Sequence, residues 1–248
     1  MTINPFFAER RTVRNYDPER KLSLEEITAM LEAASQAPNT GNMQIYSVVV
    51  TRDEATRRAL SPAHFGQPSV MSAQAVLTFC VDFNRFEKWC RQRNAEPGYD
   101  NFQAFMWGVI DATIFAQQFV TIAEMNGLGT CYLGTVTYNA PQIAEVLDLP
   151  ARVVPVATVT VGYPAADAPK SDRLPIKGIV HDEKYHDYSP ADIDEIYAEK
   201  EALPDSAKFI AENGKETLAQ VFTDVRYKRE DNEYFSKVFS DFIKKQGF

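Results

Sequence analysis

Hydrophobic positions along the chain follow two patterns, a helical repeat of about 3.6 residues and short filled runs, so both helices and covered strands are expected. Ser23-Leu24-Glu25-Glu26 is a capping box, and Ile27, Met30, Leu31 and Ala34 follow at i, i+3, i+4 and i+7. They predict a first helix with one face inward, stopped by Pro38. Residues 47–51 and 75–81 are β-branched or aromatic runs that suit strands covered on both faces, with a short helix over 53–60 between them. Residues 84–100 are charged and carry Pro97-Gly98, which predicts an irregular surface excursion able to fold over a site. Residues 102–126 are apolar around nearly the whole helical circumference, predicting a helix buried on most sides and ended by Gly127 and Gly129. Residues 130–134 fit a short strand or a turn, Asn139 reads as the cap of another helix, and 153–163 return as a strand. Beyond 190 the chain predicts several charged helices. The stripe Tyr234, Phe235, Val238, Phe239, Phe242 and Ile243 needs cover, part of it from a partner subunit.

Composition narrows the classes. At 248 residues, 45% of them hydrophobic, the chain can bury a full core. Its 26 Lys+Arg against 34 Asp+Glu give a net charge of −8. That balance disfavours nucleic acid and anionic lipid and makes clustered cations stand out. No run approaches the roughly 20 apolar residues of a bilayer span, and residues 1–10 lack a signal-type apolar core, so a cytoplasmic protein without a membrane partner is expected. Cys80, Cys90 and Cys131 are widely spaced and read as free thiols in a reducing compartment.

The cations cluster at Arg10-Arg11-Thr12-Val13-Arg14-Asn15-Tyr16, and again in the tract Lys170-Ser171-Asp172-Arg173-Leu174-Pro175. If the strand over 153–163 brings the second tract back to the first, guanidinium groups and a hydroxyl can grip a phosphate. Ala37-Pro38-Asn39-Thr40-Gly41-Asn42-Met43-Gln44 is either an ordinary turn or a set of amide contacts to a heterocycle edge, and Gly66-Gln67-Pro68-Ser69 is open in the same way. His181 and His186 would point about 140° apart on a helix, so no metal site is expected. Neither a nucleophile elbow nor a phosphate-binding glycine loop occurs.

Four motifs, Arg10 to Tyr16, Ala37 to Gln44, Gly127-Leu128-Gly129-Thr130-Cys131-Tyr132-Leu133-Gly134 and Asp172-Arg173-Leu174-Pro175, together resemble the FMN-dependent nitroreductase family over roughly residues 5–190, most closely its NADPH-preferring, major oxygen-insensitive branch. The resemblance implies an α+β fold, a three-layer α-β-α sandwich with a mostly antiparallel sheet, assembled as an intertwined homodimer with FMN at the interface. Residues 1–189 would be the FMN-binding domain and 190–248 a helical extension packed on it, on the partner subunit, or on both. By the same resemblance Arg10 and Arg173 take the phosphate, with Arg11 and Lys170 beside them. Thr12 and Arg14 approach the ribityl chain and the N1/O2 edge, and Leu133, Gly134 and Thr135 sit near N5. Pro38, Asn39 and Thr40 line the ring from the partner chain, while Asn42 and Gln67 contact the flavin.

Three positions depart from the family pattern. Ser171 stands where a lysine is usual, with Lys170 one residue out of register; Gly134-Thr135 replaces Gly-Gly; and Arg11 replaces a histidine. The implied activity is ping-pong hydride transfer from NADPH or NADH, through FMN, to a small aromatic acceptor such as a nitroaromatic, quinone or flavin. Arg14 is the residue expected to stabilise charge at N1/O2. Phe65, Phe102 and Trp107 are candidates for the pocket wall. The alternative is a flavin- or planar-ligand-binding sensor or carrier without turnover.

Overall fold

The predicted strands form one sheet. In the computed structural model, which describes residues 4–248, they are β1 (Tyr46–Thr51), β2 (Ala75–Asp82), β3 (Gly129–Tyr132) and β4 (Val153–Gly162). All neighbours are antiparallel, in the order β1-β2-β4-β3. The helices are α1 (Pro5–Glu9), α2 (Leu24–Ala34), α3 (Glu54–Leu60), α4 (Pro68–Ser72), α5 (Asn84–Gln92), α6 (Phe102–Met125), α7 (Ala140–Val146), α8 (Pro190–Glu201), α9 (Pro204–Glu212), α10 (Leu218–Val221) and α11 (Arg229–Lys245). Contacts divide the described residues into two compact units, residues 4–170 with 235–248 and residues 171–234.

In the first unit β2 is buried along its whole length, so its side chains sort by alternation alone. Ala75, Leu77 and Phe79 join Phe115, Phe119 and Ile27 in the main core with α2 and α6. Val76 meets Val70, Cys131 and Leu133 in a separate cluster. The capping box at Ser23 and Glu26 is formed, with Glu26 N 3.1 Å from Ser23 Oγ. By length and composition α6 could cross a membrane, yet Ala112, Phe115, Ala116 and Phe119 are buried in the core.

Residues 84–100 depart from the expected irregular excursion, because their first half is the helix α5. Its charged residues face out while Glu87 and Cys90 are buried, and Glu87 is satisfied there by Arg152, whose Nε lies 2.7 Å from the carboxylate. A charged run thus hides an amphipathic helix whose inward carboxylate finds its partner 65 residues away. The aromatic stripe of α11 is covered in good part by its own chain: Phe242 is buried, and Phe239, Ile243 and Phe248 pack beside Phe83 and Phe105.

In the second unit Ser189 and Asp192 form a capping box that opens α8. Ile196, Ser206, Leu218 and Val221 are its buried residues. His181 Nε2 lies 3.1 Å from the Tyr188 hydroxyl, which also bonds Gly178 O at 3.0 Å. Among the described residues no cluster of His, Cys, Asp or Glu has the make-up of a metal site.

Candidate functional site

The basic segment before Tyr16 runs alongside β3 as a strap. Val13 N donates to Thr130 O at 2.9 Å, and a side chain at Gly129 would collide with Val13, its Cβ falling 2.5 Å from the valine Cβ. Further on, Tyr16 pairs with Pro164, and its hydroxyl reaches Val13 O at 2.9 Å and Thr160 Oγ1 at 2.7 Å. Burial pushes that phenol far above its ordinary range. Inward Val13 and Tyr16 therefore fix the register, leaving Thr12 half-buried and Arg14 exposed.

Arg10 donates Nη2 to Glu124 at the end of α6, at 3.0 Å, and Glu124 also accepts from Thr130 Oγ1 at 2.5 Å. Arg11 reaches Ala168 O at 3.1 Å, which ties the chain after β4 to the strap. Glu9 lies 3.7 Å from Arg11 and 3.8 Å from Lys170. Arg14 has no carboxylate partner among the described residues and lies near the Cys131 thiol. Burial raises the Cys131 pKa, and Arg14 and Arg10 oppose that rise. A guanidinium with no carboxylate partner among the described residues, beside a buried thiol, favours local positive potential in a chain of net charge −8.

The strand leads directly into the second part of the site. Leu133 is buried and Gly134 exposed, and a Cβ at Gly134 would meet nothing within 4 Å. Packing therefore does not require glycine there; space is left open beside the backbone. Thr135 turns inward, where its Oγ1 lies 2.9 Å from Nδ1 of the fully buried His64. Burial holds His64 well below its ordinary pKa, at about 4, so the ring is neutral and its Nε2 has no partner. Asn139 stands at the N-cap of α7 as expected, but its side chain makes no capping bond and donates Nδ2 to Ala63 O at 2.8 Å. Together these bonds pin residues 61–67 to residues 133–139. Gln67, half-buried at the start of α4, is held next to this joint by its N–H bond to His64 O at 3.2 Å.

The Ala37–Gln44 motif lies elsewhere in the unit. Thr40 donates both N–H and hydroxyl to Asp111 Oδ1 on α6, each at 2.9 Å. Asn39 Oδ1 is buried without a partner and Pro38 is exposed. Asn42 accepts from Gln44 Nε2 at 3.2 Å and lines a cavity of about 520 Å³ with Arg85, Phe86 and Trp89. Asp111 and Glu124 anchor the two motifs on one helix about 20 Å apart at 1.5 Å per residue. Arg173 lies in the second unit, exposed, with Nη1 on Asp172 O at 2.7 Å. Of the expected wall residues, Phe65 and Phe102 are exposed and Trp107 packs on the second core cluster.

Sequence reasoning missed Glu124, Asp111 and His64. The two carboxylates lie inside an apolar helix, and their partners are 114 and 71 residues distant. For His64 the available signal was a lone histidine beside Gln67.

Residues 7–163 match the family model described as Nitroreductase family. An FMN reductase (NADPH) from Bacillus subtilis is 30% identical over 178 residues, 71% of each chain. An oxygen-insensitive NADPH nitroreductase from Salmonella typhimurium is 31% identical over 175 residues, again 71% of each. A solved chain from Bacteroides fragilis NCTC 9343 superposes with a TM-score of 0.96 at 50% identity, covering 98% of this chain and 99% of that one. With the motif order, the antiparallel sheet and a family match that spans the strap through β4, the chain belongs to the nitroreductase family.

Proposed function

We propose that the protein is an FMN-dependent NAD(P)H oxidoreductase that reduces nitroaromatics, quinones or flavins, acting as a cytoplasmic homodimer. The observation that carries this reading is the convergence of a carboxylate-free Arg14 with a β3–Gly134 segment that leaves open space beside its backbone. Relatives named FMN reductase (NADPH) and oxygen-insensitive NADPH nitroreductase support it.

The residues present fit FMN. Arg10, which gives one nitrogen to Glu124, would hold the phosphate with Arg11 and Lys170, and the unpartnered Thr12 hydroxyl would meet the ribityl chain. Arg14 would lie at the N1/O2 edge, where a fixed cation favours negative charge. Backbone groups of Leu133, Gly134 and Thr135 would approach N5, with Gln67 alongside. The chemistry FMN supplies when bound is two-electron transfer between a nicotinamide and a second, electron-poor substrate, taken in turn. The inward turn of Thr135 onto His64 keeps its side chain out of the space where a glycine is usual.

Pro38, Asn39, Thr40 and Asn42 would come from a second copy, since α6 separates them from Arg10 in their own chain. The buried, unpartnered Asn39 Oδ1 is an acceptor aimed at a donor its own unit does not supply.

An absorbance spectrum of the purified protein, recorded anaerobically before and after each nicotinamide, tests the proposal. A yellow protein bleached by NADPH or NADH is expected. A colourless one overturns the reading, and a yellow one that neither nicotinamide bleaches makes it a flavin carrier. Arg14→Ala should keep the fold and lower FMN retention or slow its reduction about tenfold, as for loss of one charge-assisted contact of about 1.4 kcal/mol; unchanged retention and rate would remove Arg14 from its role.

A further inference from the structure

A cavity of about 500 Å³ lies in the first unit, where the turn after Tyr16 meets the end of β1, the helix α3 and the end of α4. Four cations line it, Arg20, Lys21, Arg52 and Arg57, and no acidic residue does. None of the four has a carboxylate within ion-pair distance among the described residues. The acids whose charge acts on them are engaged as helix caps. Glu26, which acts on Arg20, accepts from Ser23 N at 2.7 Å, and Asp53, which acts on Arg57, accepts from Thr56 N at 2.8 Å. Like charges gathered on one cavity repel one another, and an anion held between them offsets that cost.

The walls of this cavity are fixed by bonds of their own. Arg57 gives Nη1 to Met71 O at 2.6 Å and to Ala73 O at 2.5 Å, while its Nε is buried with no acceptor among the described residues. Arg20 stacks on Tyr163, its guanidinium carbon 3.4 Å from the ring centroid, which holds the planar fork in place. Gln74 donates to Asp17 O at 2.6 Å and accepts from Tyr163 N at 2.7 Å, joining the turn to the end of β4. The Ser72 hydroxyl, on the same cavity, makes no bond to a described residue. Guanidinium groups held in this way match the geometry of phosphoryl oxygens, and the volume is that of a small-molecule site. None of the residues assigned to FMN lines the cavity. We infer that it is a second anion site, which binds the diphosphate group of a small molecule other than the flavin.

Calorimetric titration of the purified protein with pyrophosphate, at fixed ionic strength and with flavin absorbance followed in parallel, tests the site. Pyrophosphate is expected to bind once per chain without displacing FMN. Lys21 and Arg52 are exposed and bond no described residue, so Lys21→Glu and Arg52→Glu should keep the fold. Each should weaken binding about tenfold, as for loss of one charge-assisted contact. Arg58→Glu makes the same change of charge on α3, at a residue that pairs with Glu54 and does not line the cavity, and should leave binding unchanged. ADP that competes with pyrophosphate identifies the occupant as a diphosphate ester, and pyrophosphate that ADP does not displace identifies it as the free anion. Absence of binding, binding that Arg58→Glu weakens as much as Arg52→Glu does, or uptake matched by loss of bound flavin overturns the site. A colourless protein that still binds pyrophosphate overturns the flavin reading alone.

Discussion

His64 shows how one side chain sets both a joint and a pH response. Fully buried, with Nδ1 on Thr135 and Nε2 unpartnered, it has a pKa near 4, whereas an unburied histidine titrates near 6.5. Above pH 6.5 neither the folded nor the unfolded chain is protonated there, and the stability due to this group is fully present. As pH falls from 6.5 towards 4 the unfolded chain gains a proton that the folded one does not. Stability therefore drops by roughly 3 kcal/mol across that window. Urea unfolding at pH 7 and pH 4 should show this loss in the native sequence and a loss smaller by about that amount in His64→Gln. Equal losses would mean that His64 does not titrate on unfolding. The residue types were readable in advance, but the direction of Thr135 was not: a threonine beside Gly134 reads as an intrusion until the His64 bond turns it inward.

Gly108 shows that an element's neighbours can reverse its intrinsic preferences. In an isolated helix, glycine to alanine gains about 1 kcal/mol. On α6, however, a Cβ at Gly108 would fall 2.5 Å from Val81 Cγ1 on β2, which is buried along its whole length. Overpacking of this kind costs about 1–3 kcal/mol, so Gly108→Ala is expected to be neutral to destabilising, by up to about 2 kcal/mol. A rise in thermal midpoint would show that α6 can move off the sheet. Most elements were legible from periodicity and caps: α2 from its capping box, and β1, β2 and β4 from their β-branched runs. The helix α5 was not, because its pattern makes sense only once Arg152 neutralises Glu87.

At the scale of the molecule, the helix at the centre of the first unit keeps an apolar outer side. Ile110 is 49% and Ile114 37% exposed on α6, the same helix that holds Arg10 and Thr40 at separate points. In the proposed homodimer these isoleucines lie under the second copy, because an apolar stripe on a core helix calls for cover. Ile110→Glu with Ile114→Glu should shift sedimentation from dimer to monomer and lower FMN occupancy in parallel. A dimer that persists with full occupancy would place the interface elsewhere.

What the amino-acid order determined by itself was local: helix caps, strand periods and the family's four motifs, all written in neighbouring residues and governed by backbone geometry. Tertiary structure alone decided which charges remain unpaired. Arg10 meets Glu124 and Arg14 meets no carboxylate among the described residues, although the two arginines look alike in the sequence. The difference arises because ion pairing depends on distance in space, and only the packing of the strap against β3 and α6 sets that distance.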